Sequence, residues 1–290
     1  MTGLVKMVTV SILYDVLRWE EKELLKKASE MSISVVSVDI RKFSPALGDK
    51  CPKNLGDISI QRSVGFYRGL FSTAVLEHMN HRVVNTYRSL EITGNKMMTS
   101  LHLYQNGIRT PFTAFAFDED AALRLFMERF NGEAVLKPIT GSWGRMIALL
   151  KDKFAAQAVL HDRSLMHPIQ SVYYFQEFVR KPGRDIRIIV AGEEIIAGMY
   201  RYQTGDEWRT NAAIGGRVEK LPKDSEIEEL AIKSVSFLDT GIYGVDIMET
   251  DGGPVVNEIN GTMEFRGTTA ASGTDVASEM LKFVVKQEKC

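Results

Sequence analysis

The sequence predicts a mixed α/β (α+β) protein, and three observations carry that prediction. Its 290 residues correspond to about two domains at roughly 150 residues each. Residues 7–13, 18–31 and 33–38 have the apolar spacing of a strand, a helix and a strand, which predicts a βαβ unit and a parallel sheet. Later, two pairs of apolar runs flank short glycine turns, which predicts antiparallel hairpins.

The remaining elements follow in order along the chain. Residues 44–56 carry two prolines and two glycines and are predicted to form a loop. Apolar residues at helical spacing predict helices over residues 69–80, 96–106, 119–130, 225–238 and 274–286. Short apolar runs predict strands over residues 82–85, 112–117, 134–137 and 173–178. The hairpins cover residues 185–200 and 244–260, with turns at 191–193 and 250–253.

Composition and charge exclude several classes of protein. Hydrophobic residues make up 44% of the chain and charged residues 25%, enough apolar material for a folded core. Lys and Arg total 36 against 37 Asp and Glu, so we expect no bulk attraction to nucleic acid or to an anionic membrane. No apolar run approaches the roughly 18 residues of a membrane span. Cys51 and Cys290 match no metal spacing, and a cytoplasmic location is expected.

The strongest chemical signal lies in the second hairpin. Glu258 and Asn260 are two residues apart, so a strand directs both to one face, and Asp246 lies on the partner strand. Three oxygen ligands on adjacent strands suit Mg²⁺, which shares its remaining positions with water and substrate phosphates. The alternative is an ordinary polar strand face, but the apolar residues between these side chains favour a metal site.

Two lysines and a glycine turn indicate a phosphate site. The turn of residues 140–146 follows the strand that ends in Lys137, and small residues expose backbone N–H groups that can bind a polyphosphate. Lys96 begins a helix, a position that is unfavourable for a cation unless an anion faces it. The turn matches neither a Walker A motif nor GxGxxG.

Other polar residues complete the candidate site. The strand end at residues 176–179 and the nearby Asp185 suit an adenine edge and a ribose, although a solvated strand end is the alternative. Arginines, which bind carboxylates and phosphates in bidentate geometry, recur at positions 187, 201, 209 and 266. No GxSxG motif, catalytic cysteine or histidine cluster is present in the sequence, so a covalent nucleophile is not expected.

In order, these motifs resemble the ATP-grasp superfamily, in its ribosomal-S6-modification-like branch. The resemblance rests on Lys96, Lys137 and the segments TGSWGRM, QEFV, GRDIR, EWRTN, GVDIM and VVNEIN, and covers residue 90 to the C-terminus. It implies an N-terminal α/β domain over residues 1–90. Two α+β subdomains that enclose ATP would follow, over residues 91–172 and 173–290.

Within that branch, the segments LYDVLRWEEKELL and NEINGTMEFRGTT resemble the amino-group-carrier-protein ligases of lysine and arginine biosynthesis, the LysX/ArgX type. The first segment and TMEF are more similar to the α-aminoadipate enzyme. After Arg266 the chain departs from both types, because the former typically has Asn at Gly267 and the glutamate enzyme typically has Phe at Thr268. Specificity for α-aminoadipate, for glutamate or for both therefore stays open.

The resemblance implies an ATP-dependent carboxylate–amine ligase that acts through an acyl phosphate. It would join the α-amino group of α-aminoadipate or glutamate to the C-terminal glutamate of a small acidic carrier protein. Expected cofactors are ATP and one or two Mg²⁺ ions, and the expected assembly is a homodimer or homotetramer. The alternatives are a glutamate ligase for a ribosomal protein tail or a small-molecule polyglutamate, and a nucleotide-binding module without turnover.

The resemblance also assigns roles to residues. The ATP phosphates would contact Lys96 and Lys137, under a flap formed by Gly141, Ser142, Trp143 and Gly144. Adenine would contact Glu177, Phe178 and Val179, and the ribose Asp185. Mg²⁺ would be held by Asp246, Glu258 and Asn260. The reacting groups would lie near Arg201, Arg209 and Asn211, with Glu264 as the candidate proton acceptor. The substrate would contact Asn260, Arg266, Gly267 and Thr268.

Overall fold

The computed structural model describes residues 8–141, 143–205, 208 and 216–288. Within these ranges the strands form three sheets. The strands are β1 Thr9–Tyr14, β2 Ser34–Asp39, β3 Ile58–Gln61, β4 Arg82–Val84, β5 Thr113–Ala116, β6 Ala134–Lys137, β7 Ala148–Leu150, β8 Tyr173–Gln176, β9 Arg184–Ala191, β10 Glu194–Tyr202, β11 Val218–Lys220, β12 Ile242–Met248 and β13 Val255–Asn260. The helices are α1 Trp19–Glu30, α2 Phe66–His78, α3 Tyr87–Thr93, α4 Lys96–Gln105, α5 Glu119–Arg129, α6 Lys153–Ser164, α7 Ser225–Val235, α8 Arg266–Ser272 and α9 Val276–Glu288. In these ranges, no helix has the length and apolar character needed to cross a bilayer.

The N-terminal sheet confirms the predicted βαβ unit. Its strands are all parallel, in the order β2-β1-β3-β4, because α1 connects β1 to β2 on one face. The strand β3 was not predicted; it is short, and its apolar residues alternate with Ser59 and Gln61. Both polar side chains are buried and hydrogen-bonded; Ser59 Oγ, for example, lies 2.6 Å from His81 Nε2. The partners of these side chains come from elsewhere in the chain, so a local pattern does not reveal the strand.

The central sheet is antiparallel in the order β5-β8-β6-β7 and packs against α5 and α6. Phe126, Leu160 and Phe175 meet in its core. The strand β7 and the helix α6 were not predicted from the sequence. Asp152 nevertheless is the N-cap of α6, since its carboxylate accepts hydrogen bonds from the N–H groups of Phe154 and Ala155 at 2.9 and 2.8 Å.

The C-terminal sheet has the order β11-β10-β9-β12-β13 and contains both predicted hairpins. Gly192, with a φ of 61°, makes the tight turn of the first hairpin. One hydrophobic core joins this sheet to the N-terminal sheet, since Ile12 and Ile60 share it with Ile189 and Met280. The helix α3 contains residue 90, the predicted end of the first domain.

Candidate active site

A cleft of about 1100 Å³ receives residues from all three sheets and their connections. Among the described residues that line it, nine are Lys or Arg and six are Asp or Glu, a formal charge of +3 in a chain of net charge −1. A concave site with this excess attracts anionic ligands.

The predicted metal ligands meet on neighbouring strands. Asp246 in β12 lies directly opposite Glu258 in β13, and Asn260 follows two residues later along the same strand. Asp246 is buried between two arginines, with Arg187 Nη2 2.8 Å from its Oδ2 and Arg201 Nη2 3.1 Å from its Oδ1. Burial by itself raises the pKa of Asp246, but the two guanidinium charges outweigh it and lower the pKa to about 2. Asp246 is therefore ionised at neutral pH.

Glu258 and Asn260 supply the other oxygen atoms. Lys96 Nζ lies 3.1 Å from Glu258 Oε1, and the buried Nδ2 of Asn260 has no hydrogen-bond partner among the described residues. Within the described ranges, no group of three His, Cys, Asp or Glu side chains can hold a metal ion. A site here would therefore use two carboxylates and one amide. Such hard oxygen donors fit Mg²⁺, with substrate oxygens and water in the remaining positions.

Lys137 lies at the end of β6 and is buried in the cleft wall. Its Nζ donates hydrogen bonds to Gln176 Oε1 and, at 3.0 Å, to Asn257 Oδ1. Burial lowers the pKa of Lys137 to about 8, although the nearby charge of Glu258 acts in the opposite direction. This cation faces neutral partners, which leaves its charge available to a ligand.

Residues of the glycine turn also line the cleft. Gly141, Trp143, Gly144 and Met146 have φ values of 131°, 59°, 68° and 57°. Repeated left-handed residues coil the backbone so that consecutive N–H groups can face an anion. Lys96 Nζ donates to the Gly141 carbonyl at 2.8 Å, so one lysine links this turn to Glu258.

Glu264 connects the turn to the N-terminal region. Trp143 Nε1 donates to Glu264 Oε1 at 3.1 Å, and Arg18 Nη1 lies 3.4 Å from the same oxygen. The Glu264 carboxylate therefore lies at the cleft and is shared by two donors.

The predicted adenine and ribose residues also line the cleft. The Glu177 N–H donates to the Phe112 carbonyl at 2.9 Å, and the Glu177 carboxylate accepts from the Phe112 N–H at 2.8 Å. Phe178 lies edge-on to Trp208 at 5.8 Å, and Val179 completes this segment. Asp185 Oδ1 accepts from Arg201 Nε at 2.7 Å, which places the Asp185 carboxylate next to the Asp246 pair.

The remaining predicted residues have different environments. Arg266 and Gly267 line the cleft, with the Arg266 guanidinium 5.8 Å from the centre of the Trp19 ring. Thr268 is fully buried in α8 and is not among the lining residues. The predictions for Ser142, Arg209 and Asn211 fall outside the described residues.

The residues that line the cleft include several that were not predicted from the sequence, among them Lys181, Arg18 and Ser63. Lys181 lies 3.5 Å from Asp185, while Arg18 and Ser63 come from the N-terminal region. Arg18 and Ser63 follow the carboxyl ends of β1 and β3, which is where open parallel sheets bind ligands. That rule is a signal that could have identified Arg18, because β1 was predicted, but not Ser63, because β3 was not.

Comparison with known proteins places the chain in a family. Residues 93–284 match the model of the RimK-like ATP-grasp domain, and residues 10–92 match that of the LysX preATP-grasp domain. The chain is 32% identical to the α-aminoadipate–LysW ligase LysX of Sulfurisphaera tokodaii, over 94% of this chain and 96% of the relative.

Two further comparisons agree. The glutamate–LysW ligase ArgX of the same organism is 32% identical over 95% of this chain and 97% of the relative. The crystal structure of a RimK domain ATP-grasp protein from Sphaerobacter thermophilus superposes with a TM-score of 0.77 at 24% identity, covering 95% of this chain and 99% of that chain. The chain therefore belongs to the RimK-like family of ATP-grasp ligases, with an N-terminal region of the LysX preATP-grasp type.

Proposed function

We propose that this ligase uses ATP to join the α-amino group of α-aminoadipate, glutamate or both to the C-terminal glutamate of a small acidic carrier protein. The observation that carries the proposal is the cationic cleft in which Asp246, Glu258 and Asn260 meet beside Lys96 and Lys137. The names of the two LysW ligases, related over nearly the whole chain, support the choice of carrier and amino acids.

The reaction requires an activated carboxylate. A carboxylate resists attack by an amine, so its oxygen first receives the γ-phosphoryl group of ATP, which leaves ADP. The amine nitrogen then attacks the carbonyl carbon of the acyl phosphate, the C–O bond to phosphate breaks, and inorganic phosphate and a proton are released as the amide forms. Lys96, Lys137 and the turn N–H groups would align the phosphates and neutralise their charge. Mg²⁺ held by Asp246, Glu258 and Asn260 would supply further charge neutralisation.

Other cleft residues would bind the nucleoside part of ATP and the groups that react with it. We assign adenine to residues 177–179 and ribose to Asp185, and place Arg201 near the acyl phosphate, with Arg209 and Asn211 in the same role. Glu264 is the proposed acceptor for the proton that the attacking amine must lose. The positive charge of the cleft would attract the acidic tail of the carrier protein.

Residue 267 is the proposed discriminator between the two amino acids. A Cβ built at Gly267 would lie 3.5 Å from Met199, an ordinary contact, so the fold does not itself require glycine there. The residue at this position would then act on the choice between α-aminoadipate and glutamate and not on the packing of the fold.

The test is amino-acid-dependent ADP release with Mg²⁺ and a carrier ending in glutamate. We expect ADP release with α-aminoadipate, glutamate or both, and a carrier product whose mass increases by that of the amino acid less water. The Glu258→Gln variant, which removes a ligand charge but keeps the shape, should lose more than about 100-fold in kcat.

The alternatives give other outcomes in the same assay. In one outcome, ADP release needs glutamate and proceeds only with a ribosomal protein tail or a polyglutamate acceptor. That result would identify the protein as a glutamate ligase for such an acceptor and contradict the carrier proposal. Binding of ATP without turnover on any acceptor would indicate a regulatory module and contradict the proposal.

A further inference from the structure

Arg163 is a buried cation that the reaction described above does not use. It lies in the last turn of α6, and only 3% of its surface is exposed. Its Nη2 donates a hydrogen bond to the backbone carbonyl of Met146, the last left-handed residue of the glycine turn. Its Nη1 is buried and has no hydrogen-bond partner among the described residues.

Among the residues that the structure describes, Arg163 also has no counter-charge. Within the described ranges, no carboxylate forms an ion pair with Arg163, and burial lowers its pKa to about 10. The carboxyl end of α6 stabilises a cation only in part. A buried cation without an anion costs stability relative to an apolar side chain of similar volume, so stability alone does not explain an arginine at this position.

The contact with Met146 determines the direction of a peptide group at the cleft. The peptide bond between residues 146 and 147 is planar, so a carbonyl directed at Arg163 points the N–H of Ile147 the opposite way. Ile147 lines the cleft, whereas Arg163 does not. The guanidinium therefore holds the end of the turn from behind and adds positive charge to it.

We propose that Arg163 is a positioning residue, which orients the end of the glycine turn for the ATP phosphates by holding the Met146 carbonyl. This inference rests on the proposed function, because it assumes that the turn binds phosphate. Arg163 acts through the backbone and does not touch the nucleotide.

The test compares Arg163→Met with Arg129→Met. Arg129 lies in the last turn of the neighbouring helix α5 and is exposed, so it is a matched control. ATP binding with Mg²⁺ is measured by titration calorimetry, and thermal unfolding is measured without nucleotide. We expect Arg163→Met to weaken ATP binding at least about tenfold while the melting temperature stays equal or rises. We expect the control to bind ATP as the wild type does.

The outcomes separate the two proposals. If the wild type does not bind ATP, the proposed function fails. If the wild type binds ATP and Arg163→Met binds it equally well, or only loses stability, the role of Arg163 is structural and the inference is wrong. Should Arg163→Met fail to fold, Arg163→Lys decides, because it keeps the charge but not the planar fork. We expect a folded Lys variant to have an ATP affinity between that of the wild type and tenfold weaker, and wild-type affinity would overturn the inference.

Discussion

Lys137 shows how burial prepares a side chain for an anionic ligand. Its ammonium group contacts two amide oxygens, of Gln176 and Asn257, and has no carboxylate within ion-pair distance among the described residues. Burial brings the pKa down from 10.5 to about 8, so the lysine is still mainly charged at neutral pH. The charge is then available for a phosphate instead of being neutralised within the protein.

ATP affinity should consequently depend on pH above neutrality. Below pH 8 the Lys137 ammonium is charged and attracts phosphate; above it the amine is neutral, so we expect ATP binding to weaken by up to about tenfold per pH unit. Calorimetric titration with ATP from pH 7 to 9.5 measures this. The Lys137→Arg variant should lose the dependence, because arginine stays charged. Equal wild-type affinity over the whole range would show that Lys137 does not bind phosphate.

At the scale of elements, the segment that follows β13 packs closely against β12 beside the candidate metal site. Gly244 lies opposite Asn260 and against Ile189 of β9. A Cβ at Gly244 would lie 2.8 Å from the Cβ of Met263, an atom fixed to the backbone that follows β13. Glycine at this position therefore allows the segment of Met263 to pack directly over the strand.

We expect Gly244→Ala to lower the free energy of unfolding by about 2 kcal/mol, because Met263 cannot move without its backbone. Gly198→Ala is the matched control: Gly198 lies in β10 of the same sheet, and its new Cβ would meet the flexible end of Leu221 at 2.8 Å, while the backbone-fixed Cβ of Leu221 is farther away, at 3.2 Å. The control should cost less than about 1 kcal/mol. Urea unfolding measures both free energies. Equal losses would show that contact with the Met263 Cβ does not determine the cost of Gly244→Ala.

At the scale of the whole molecule, Asn85 ties the N-terminal region to the C-terminal sheet. Its Nδ2 donates to the carbonyls of Ile242 and Gly261, both at 2.7 Å, and its Oδ1 accepts from the Ile242 N–H at 2.7 Å. Asn85 is buried, so water cannot easily replace these bonds. The same contacts hold the ends of β12 and β13 in place beside the first domain.

Asn85→Ala should lower the free energy of unfolding by roughly 3 kcal/mol, because it leaves buried backbone groups without partners. The exposed Asn106, whose Nδ2 donates to the His102 carbonyl at 2.8 Å, provides the control Asn106→Ala, expected within about 0.5 kcal/mol of the wild type. Calorimetric unfolding measures both. An unchanged transition in Asn85→Ala would mean that the two regions are joined by their apolar contacts alone.

Much of this architecture follows from local sequence. Alternating apolar residues and turn glycines predict the two hairpins. The helix and strand spacing of the first 38 residues predicts the parallel sheet. These features are determined by neighbours along the chain, so the sequence alone predicts them.

Tertiary structure decided the features that depend on distant partners. Arg18 reaches Glu264, 246 residues away, and Lys96 meets both Gly141 and Glu258 across the cleft. The strand β3 contains polar residues whose partners are remote, and the burial of Arg163 depends on how α6 packs. Burial and counter-charges set the pKa values of Lys137 and Asp246, and both arise only when separate segments exclude water from one cleft.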